Sequence, residues 1–154
     1  PISLNDADAV VCYETLEHLK RPFQFLRRLR TLIRRGGILL LSIPNKLYEK
    51  TDTDGNNYDP YHLNIFDKNQ ILSELSANGF TVCGIFGQAI CNELYAREHE
   101  LIKNKYLTQE EADELHLYDR NSILGMSHIV GYPTDRNIDC TYSYIFICRN
   151  SNND

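Results

Sequence analysis

The most informative stretch of this chain is Ala7-Asp-Ala-Val-Val-Cys12-Tyr-Glu14-Thr-Leu-Glu17-His18, whose apolar first half predicts a short strand covered on both faces in a parallel sheet. Two carboxylates and an imidazole follow the carboxyl end of that strand, which is the edge where open α/β sheets bind ligands. If a helix begins near Tyr13, then Glu14, Glu17 and His18 lie at positions i, i+3 and i+4 and project from one face. The stretch therefore predicts an acid/base or metal-binding cluster at one edge of an α/β sheet.

The rest of the chain alternates between predicted helices and strands. Ile38 to Ile43 is typical of a second buried strand, which ends at Pro44 because proline cannot donate to a strand ladder. Asp67 and Gly79 are typical of the N-cap and the C′ residue of a helix between them. The other predicted elements are a helix at Pro22 to Arg34, a strand at Thr81 to Phe86, two short helices within 92–116, a loop at 122–140 and a last strand at Tyr142 to Cys148.

Five motifs follow one another in a characteristic order. They are the first apolar strand, E-x-x-E-H at 14–18, Gly36-Gly37 before the strand that ends in Pro44-Asn45, His62-Leu-Asn-Ile-Phe66, and Gly79-Phe80. In this order they resemble the second half of a class I S-adenosylmethionine-dependent methyltransferase, in the branch of the ubiquinone-biosynthesis O-methyltransferases and the small-RNA 2′-O-methyltransferases. The resemblance covers Asp6 to about Ile85 and returns weakly at Tyr142 to Arg149.

This resemblance implies a fold and a domain layout. The fold class is α/β, namely the C-terminal half of a Rossmann-like methyltransferase sheet with strand order 4-5-7-6, an antiparallel last strand and a helical insertion between the final two strands. Residues 1–149 are expected to form this partial domain, with the insertion at about 88–140. Residues 150–154 are expected to be a disordered tail.

The chain has no Gly-rich segment between a strand and a helix, and no acidic residue after such a segment. In the family these features hold the methionine end and the ribose of the cofactor. We therefore interpret the chain as the C-terminal half of a methyltransferase domain and expect the isolated chain to be inactive. The strand at 7–12 would then present an unpaired apolar edge, which predicts a homodimer or another form of self-association.

The resemblance also implies roles for single residues. His18 is the candidate general base, with Glu14 as its partner, because a neutral imidazole can take the proton of a substrate hydroxyl. The alternative role of His18 is a hydrogen bond to the backbone. The alternative for Cys12 and Tyr13, at the end of the strand, is ordinary packing. The expected contacts are Cys12, Tyr13 and Glu14 for the cofactor, and His62, Asn45 and Tyr61 for the substrate.

A metal site is the second implication for the same segment. The small-RNA enzymes bind a divalent metal through two Glu and one His of E-x-x-E-H and a later His, and Glu14, Glu17, His18 and His62 match those positions. Mg²⁺ or Mn²⁺ suits such a mixed oxygen and nitrogen set and could activate substrate hydroxyls. The alternative is a relative without metal, in which the second Glu forms structural bonds.

Charge and composition restrict the partners. The net charge of −5 disfavours RNA, since phosphate binding needs a concentrated basic surface, although Lys20 to Arg35 contains no acidic residue. No apolar stretch approaches the roughly 18 residues of a membrane span and the N-terminus has no signal-peptide character, so we expect no membrane contact and a cytoplasmic location. Structural thiols rather than disulfides or zinc ligands are expected for Cys12, Cys83, Cys91, Cys140 and Cys148, which show no C-x-x-C spacing.

Three functional hypotheses follow. The first is a fragment of an S-adenosylmethionine-dependent enzyme that methylates oxygen on a small molecule or glycan precursor. The second is a fragment of a metal-dependent RNA 2′-O-methyltransferase-like enzyme. The basic helix within Lys20 to Arg35 favours this hypothesis, and the negative net charge of the chain disfavours it. The third is a catalytically inactive half domain that acts as a binding or dimerisation module.

Overall fold

The computed structural model describes residues 6–49, 59–90, 93–115 and 131–151, which form an α/β fold. The strands are β1 (Ala7–Cys12), β2 (Ile33–Pro44), β3 (Phe80–Ile90), β4 (Gly131–Thr134) and β5 (Ser143–Asn150). The helices are α1 (Pro22–Leu32), α2 (Lys68–Ala77), α3 (Glu93–Lys103) and α4 (Gln109–Leu115). Short 3₁₀ turns lie at Leu16–His18, Lys46–Tyr48 and Ile138–Cys140.

The strands form one mixed sheet in the order β1-β2-β5-β3-β4. Only the pair of β1 and β2 is parallel, and β5 runs antiparallel between β2 and β3. The predicted order of four strands with an antiparallel last strand is confirmed, because β1, β2, β5 and β3 take the four places in turn.

The fifth strand corrects the prediction of a loop over 122–140. β4 pairs antiparallel with the end of β3, from Gly87 opposite Thr134 to Ile90 opposite Gly131. The pairing exists because β3 continues four residues beyond the predicted end at Phe86 and offers a free edge. Pro133 and Gly131 are typical of loops, but proline is tolerated on an edge strand, and β4 is one.

The first strand lies at the opposite edge of the sheet and pairs only with β2 among the described residues. The prediction that both its faces are covered is wrong for this part of the chain, because Val11 is 61% exposed. Cys12, at the carboxyl end, is the buried residue of the strand. Among the described residues, the outer edge of β1 is therefore unpaired, as predicted.

Most of the core lies between the sheet and the helices α1 and α2. Leu26 of α1 and Ile71 and Leu75 of α2 are fully buried with the inward side chains of β2 and β5. Burial of such side chains contributes roughly 1.5–3 kcal/mol each. A second apolar cluster joins α3 and α4 to the 3₁₀ turns and consists of Tyr48, Leu101, Leu107, Ala112 and Cys140.

The ends of the elements follow local chemistry. Asp67 caps α2, where its side chain accepts a hydrogen bond from the Asn69 N–H at 2.8 Å, and Gly79 follows the helix with φ of 76°. Thr108 and Glu111 form a capping box at the start of α4 through hydrogen bonds of 2.8–3.2 Å. No helix among the described residues has the length and hydropathy needed to cross a membrane.

The end of β5 corrects the predicted tail. Asn150 is buried, and its side-chain amide donates to the Ile33 carbonyl at 2.7 Å. It is therefore the last residue of the sheet rather than the first of a disordered tail.

The thiols agree in part with the predicted structural role, since Cys12, Cys140 and Cys148 are buried while Cys83 is exposed, and all four are free. Cys91 lies outside the described residues.

Candidate active site

The segment after β1 does not form the helix predicted to begin near Tyr13. Glu14 has φ of 44°, in the left-handed region, and the residues between β1 and α1 form a single 3₁₀ turn, Leu16–His18. A left-handed residue cannot continue a right-handed helix, so the predicted face at i, i+3 and i+4 is wrong. Glu14 consequently has different neighbours from Glu17 and His18.

Glu14 connects the carboxyl ends of β1 and β2 to the amino end of β5. Its Oε1 accepts from Ser42 Oγ of β2 at 2.6 Å, and its Oε2 accepts from Ser143 Oγ of β5 at 3.3 Å. The Glu14 N–H donates to Ser42 Oγ at 3.0 Å. Burial raises the pKa of the Glu14 carboxyl, while the hydrogen bonds from both serines act in the opposite direction. These bonds attach the Glu14 carboxylate to β2 and β5.

Glu17 has the most unusual surroundings of the cluster. It is 1% exposed, and neither carboxylate oxygen has a hydrogen-bond partner among the described residues. Burial raises the pKa of the Glu17 carboxyl and the charge of Glu14 raises it further, whereas the backbone N–H of Glu17 itself, His18 and His62 act in the opposite direction. A buried polar group without a partner is costly, so the Glu17 carboxylate is a candidate for a functional role.

His18 is oriented by a backbone carbonyl. Its Nδ1 lies 2.9 Å from the carbonyl oxygen of Tyr61, which can only accept, so Nδ1 carries the proton. In the neutral ring this leaves the lone pair on Nε2, which lies 3.6 Å from Glu17 Oε1. His18 therefore makes the backbone hydrogen bond of its alternative role through Nδ1, and its Nε2 stays available to a ligand.

His62 completes the cluster from the segment before α2. Its ring meets the His18 ring edge to face, with centroids 4.8 Å apart, and its Nδ1 lies 3.0 Å and 3.1 Å from the two oxygens of Glu49. One ligand atom each from Glu17, His18 and His62 can be chosen so that all three lie within 4.8 Å of one another. The structure therefore brings together three of the four predicted metal ligands, and Glu14 does not join them.

Sequence reasoning missed three residues that contact the predicted site residues. Asn64 holds the 3₁₀ turn, because its N–H and its side-chain amide both donate to the Glu17 carbonyl, at 3.0 and 3.3 Å. The same amide donates to the Leu19 carbonyl at 2.8 Å. Glu49 contacts the ring of His62, whereas Ser42 holds Glu14, which does not join the cluster. Asn64 lies within the motif at 62–66, which was the available signal, whereas nothing in the sequence marked Glu49.

The other predicted site residues have mixed positions. Asn45 is 4% exposed, and its amide donates to the carbonyls of Asp139 and Thr141 at 2.8 and 2.7 Å. These surroundings give no support to a substrate contact. Tyr61 joins the site through its backbone while its ring is 75% exposed, and Tyr13 is 46% exposed. Burial raises the pKa of the Cys12 thiol, which keeps it in the neutral form of a packed side chain.

The cluster as a whole lies past the carboxyl ends of the parallel strands β1 and β2. It offers the buried Glu17 carboxylate and, 3.6 Å away, the lone pair of His18 Nε2. Such a set can accept a proton from a hydroxyl group or bind a cation.

The chain has an α/β fold, and the cluster lies at the carboxyl edge of the parallel strands, where open α/β sheets bind their ligands. Residues 4–83, which are 80 of the 154 residues, match the model of the Methyltransferase domain family. The chain belongs to this family.

Curated relatives agree with this assignment. A "Probable S-adenosylmethionine-dependent methyltransferase" of Mycobacterium tuberculosis is 27% identical over 100 residues, covering 63% of this chain and 36% of the relative. A similarly named protein of Mycolicibacterium smegmatis is 28% identical over 116 residues, covering 73% of this chain and 45% of the relative. The chain thus spans less than half the length of these relatives.

Solved structures show the same fold at low sequence identity. An S-adenosylmethionine-dependent methyltransferase of Archaeoglobus fulgidus matches 94% of this chain and 60% of its own, with 18% identity and a TM-score of 0.52. The cyclase SpnF matches 98% of this chain and 52% of its own, with 20% identity and a TM-score of 0.51. Because a cyclase shares the fold, the fold alone does not establish methyl transfer.

Proposed function

We propose that this chain is the C-terminal half of an S-adenosylmethionine-dependent methyltransferase that methylates oxygen on a small molecule or glycan precursor, with His18 as its general base. The observation that carries the proposal is the hydrogen bond from His18 Nδ1 to the Tyr61 carbonyl, which leaves a lone pair on Nε2 at the ligand-binding edge. Family membership and the names of the curated relatives support S-adenosylmethionine as the methyl donor.

In this proposal the chain contributes the proton acceptor. S-adenosylmethionine supplies an electrophilic methyl group when it is bound to the complete domain. His18 would accept a hydrogen bond from the substrate hydroxyl at Nε2 and would take its proton, while the methyl group would come from S-adenosylmethionine, which would leave as S-adenosylhomocysteine. The Glu17 carboxylate, 3.6 Å from this nitrogen, stabilises the imidazolium that results. The Glu17 carboxylate is buried, so little water reaches it.

The test uses the polypeptide that contains this chain and a cofactor-binding half. Release of S-adenosylhomocysteine is measured with a panel of hydroxyl acceptors that includes sugar nucleotides and phenols. A general base contributes roughly 10²–10⁴-fold, so His18→Ala should lower kcat by that factor and leave S-adenosylmethionine binding unchanged. His99→Ala, an exposed histidine of α3, is the matched control. Full activity of the His18 variant would overturn the assignment of the base.

A metal-dependent enzyme, as in the RNA 2′-O-methyltransferases, is the second candidate. The observation in its favour is the buried Glu17 carboxylate, which has no hydrogen-bond partner among the described residues and lies beside two histidines. These residues fit a divalent cation such as Mg²⁺ or Mn²⁺, which would polarise a substrate hydroxyl there. The ligands would be Glu17, His18 and His62, without Glu14.

Thermal unfolding in the presence of millimolar Mn²⁺ or Mg²⁺ tests this second candidate. A cation that binds only the folded chain raises the Tm, and the double change Glu17→Ala and His18→Ala should abolish that rise. Glu14→Gln is the control and should keep it, because Glu14 bonds to Ser42 and Ser143 instead. A Tm that does not respond to either ion would exclude the metal and leave His18 as a plain base.

A binding or dimerisation module is the third candidate, and the open edge of β1 favours it. In this case the apolar edge pairs with another chain, and the cluster at the carboxyl edge has no catalytic role. Two results together would support this module. The chain would self-associate, and the polypeptide that also contains a cofactor-binding half would show no methyltransferase activity.

A further inference from the structure

The contact between His62 and Glu49 is the best-defined polar pair in the cluster. Both carboxylate oxygens lie within hydrogen-bond distance of the same ring nitrogen, at 3.0 and 3.1 Å. The side chains are 18% and 10% exposed, so water competes little for either partner. The two residues are separated by 13 positions in the sequence, and the fold brings them into contact.

We propose that Glu49 is a positioning residue that holds His62 as the Nδ1–H tautomer and thereby keeps a lone pair on His62 Nε2. This inference deepens the proposed function, because it assigns a second oriented imidazole to the same site. An ionised carboxylate can only accept, so its partner nitrogen must carry the proton. The tautomer of a histidine is set by the hydrogen bond that one of its nitrogens makes.

A competing acceptor lies on the other side of the ring. Asp59 Oδ2 is 3.8 Å from His62 Nε2, which is beyond hydrogen-bond distance, and the Asp59 side chain is 46% exposed. The other oxygen of Asp59 accepts from the Tyr61 N–H at 2.8 Å. Distance and burial therefore both favour Glu49 over Asp59 as the group that sets the tautomer.

The arrangement repeats that of His18 with a different acceptor. The Tyr61 carbonyl takes the proton of His18 Nδ1, and Glu49 takes that of His62 Nδ1. Both rings then present an unprotonated Nε2 in a pair whose centroids are 4.8 Å apart. A carboxylate behind a ligating or basic histidine fixes its orientation and raises its basicity, and its loss typically weakens metal binding by about 10- to 100-fold.

The experiment is long-range ¹H–¹⁵N NMR of the histidine rings in the folded chain, recorded at a pH where the imidazoles are neutral. We expect His62 to show a protonated Nδ1 and an unprotonated Nε2 in the unmodified chain. Glu49→Ala should move the proton of His62 to Nε2 or leave a mixture of tautomers. Glu49→Gln should retain the Nδ1–H form, because the amide oxygen can still accept. Asp59→Ala is the control and should change nothing.

A merely structural ion pair would not control the tautomer. An Nε2–H form of His62 in the unmodified chain, or an unchanged Nδ1–H form in Glu49→Ala, would overturn the proposal. If Glu49→Ala does not fold, the tautomer of the unmodified chain alone decides. The readout needs no cofactor or substrate, so failure of the methyltransferase proposal would leave this result intact, and failure here would leave His18 as the base.

Discussion

Glu17 is the residue whose surroundings carry the clearest energetic consequence. Its carboxylate is buried without a hydrogen-bond partner among the described residues, and burial raises its pKa. The folded state therefore binds the carboxyl proton more tightly than the unfolded state does. Stability falls as the pH rises from the ordinary carboxyl pKa through the raised pKa, because the unfolded chain gives up its proton first.

Glu17→Gln should consequently stabilise the chain at neutral pH. The expected gain in the free energy of unfolding is about 1–3 kcal/mol near pH 7, and it should disappear near pH 4, where Glu17 itself is protonated. Urea unfolding at several pH values measures it. Glu110→Gln, an exposed residue of α4, is the matched control and should change stability little. A Glu17→Gln variant that is less stable than the unmodified chain at neutral pH would contradict this account.

The residues of the site differ in how visible they were in the sequence. His18, Glu17 and His62 could be predicted because they occupy motifs with a chemical meaning. The contacts of Glu49 and Asn64 could not, since Glu49 meets His62 13 positions away and Asn64 bonds to the carbonyls of Glu17 and Leu19, 47 and 45 positions away. The placement of Glu14 failed for another reason, because residue patterns carry no signal for a glutamate in the left-handed region.

At the scale of elements, the turn after α2 gives a sharp test of backbone chemistry. Gly79 has φ of 76°, and a Cβ added there would lie 2.6 Å from Arg30 Cζ. Gly79→Ala should therefore cost at least the roughly 1–2 kcal/mol of a left-handed conformation in the free energy of unfolding. Urea unfolding at constant pH measures this loss.

A second glycine provides the control for that prediction. Gly84 lies in β3, and a Cβ there would meet its nearest neighbour, Phe86 Cε2, at an ordinary 3.5 Å. Gly84→Ala should be close to neutral or slightly stabilising. Equal losses at the two positions would show that backbone conformation does not determine the cost at Gly79.

The elements themselves were largely predictable. The first strand has the predicted bounds, and α2 begins after its predicted cap, because apolar runs and capping residues are local properties of the sequence. The strand β4 could not be predicted, since its stability comes from pairing with β3 rather than from its own Gly-Tyr-Pro-Thr sequence. Tertiary pairing overrode local propensity there.

At the scale of the whole molecule, the open edge of β1 predicts self-association. The strand has one partner among the described residues, and its Val11 side chain is 61% exposed. Such apolar edges recruit strands from other chains. Sedimentation velocity at increasing concentration should show dimers or larger species of the isolated chain.

Two variants locate that association. Val11→Lys places a charge on the exposed edge strand and should shift the chain towards the monomer, and Val10→Pro should do so by removing a backbone donor. Tyr106→Lys is the control, because Tyr106 is 71% exposed but lies between α3 and α4. A folded monomer at high concentration, or equal effects of Val11→Lys and Tyr106→Lys, would refute pairing through β1.

The central claim is the proposal that this chain corresponds to the C-terminal half of a methyltransferase domain and needs a cofactor-binding half to bind S-adenosylmethionine. Calorimetric titration of S-adenosylmethionine into the isolated chain, and into the polypeptide with a cofactor-binding half, tests it most directly. We predict weak or undetectable binding to the isolated chain, because its sequence contains no Gly-rich loop between a strand and a helix. Stoichiometric binding should appear with the longer polypeptide. Tight stoichiometric binding to the isolated chain would contradict the account.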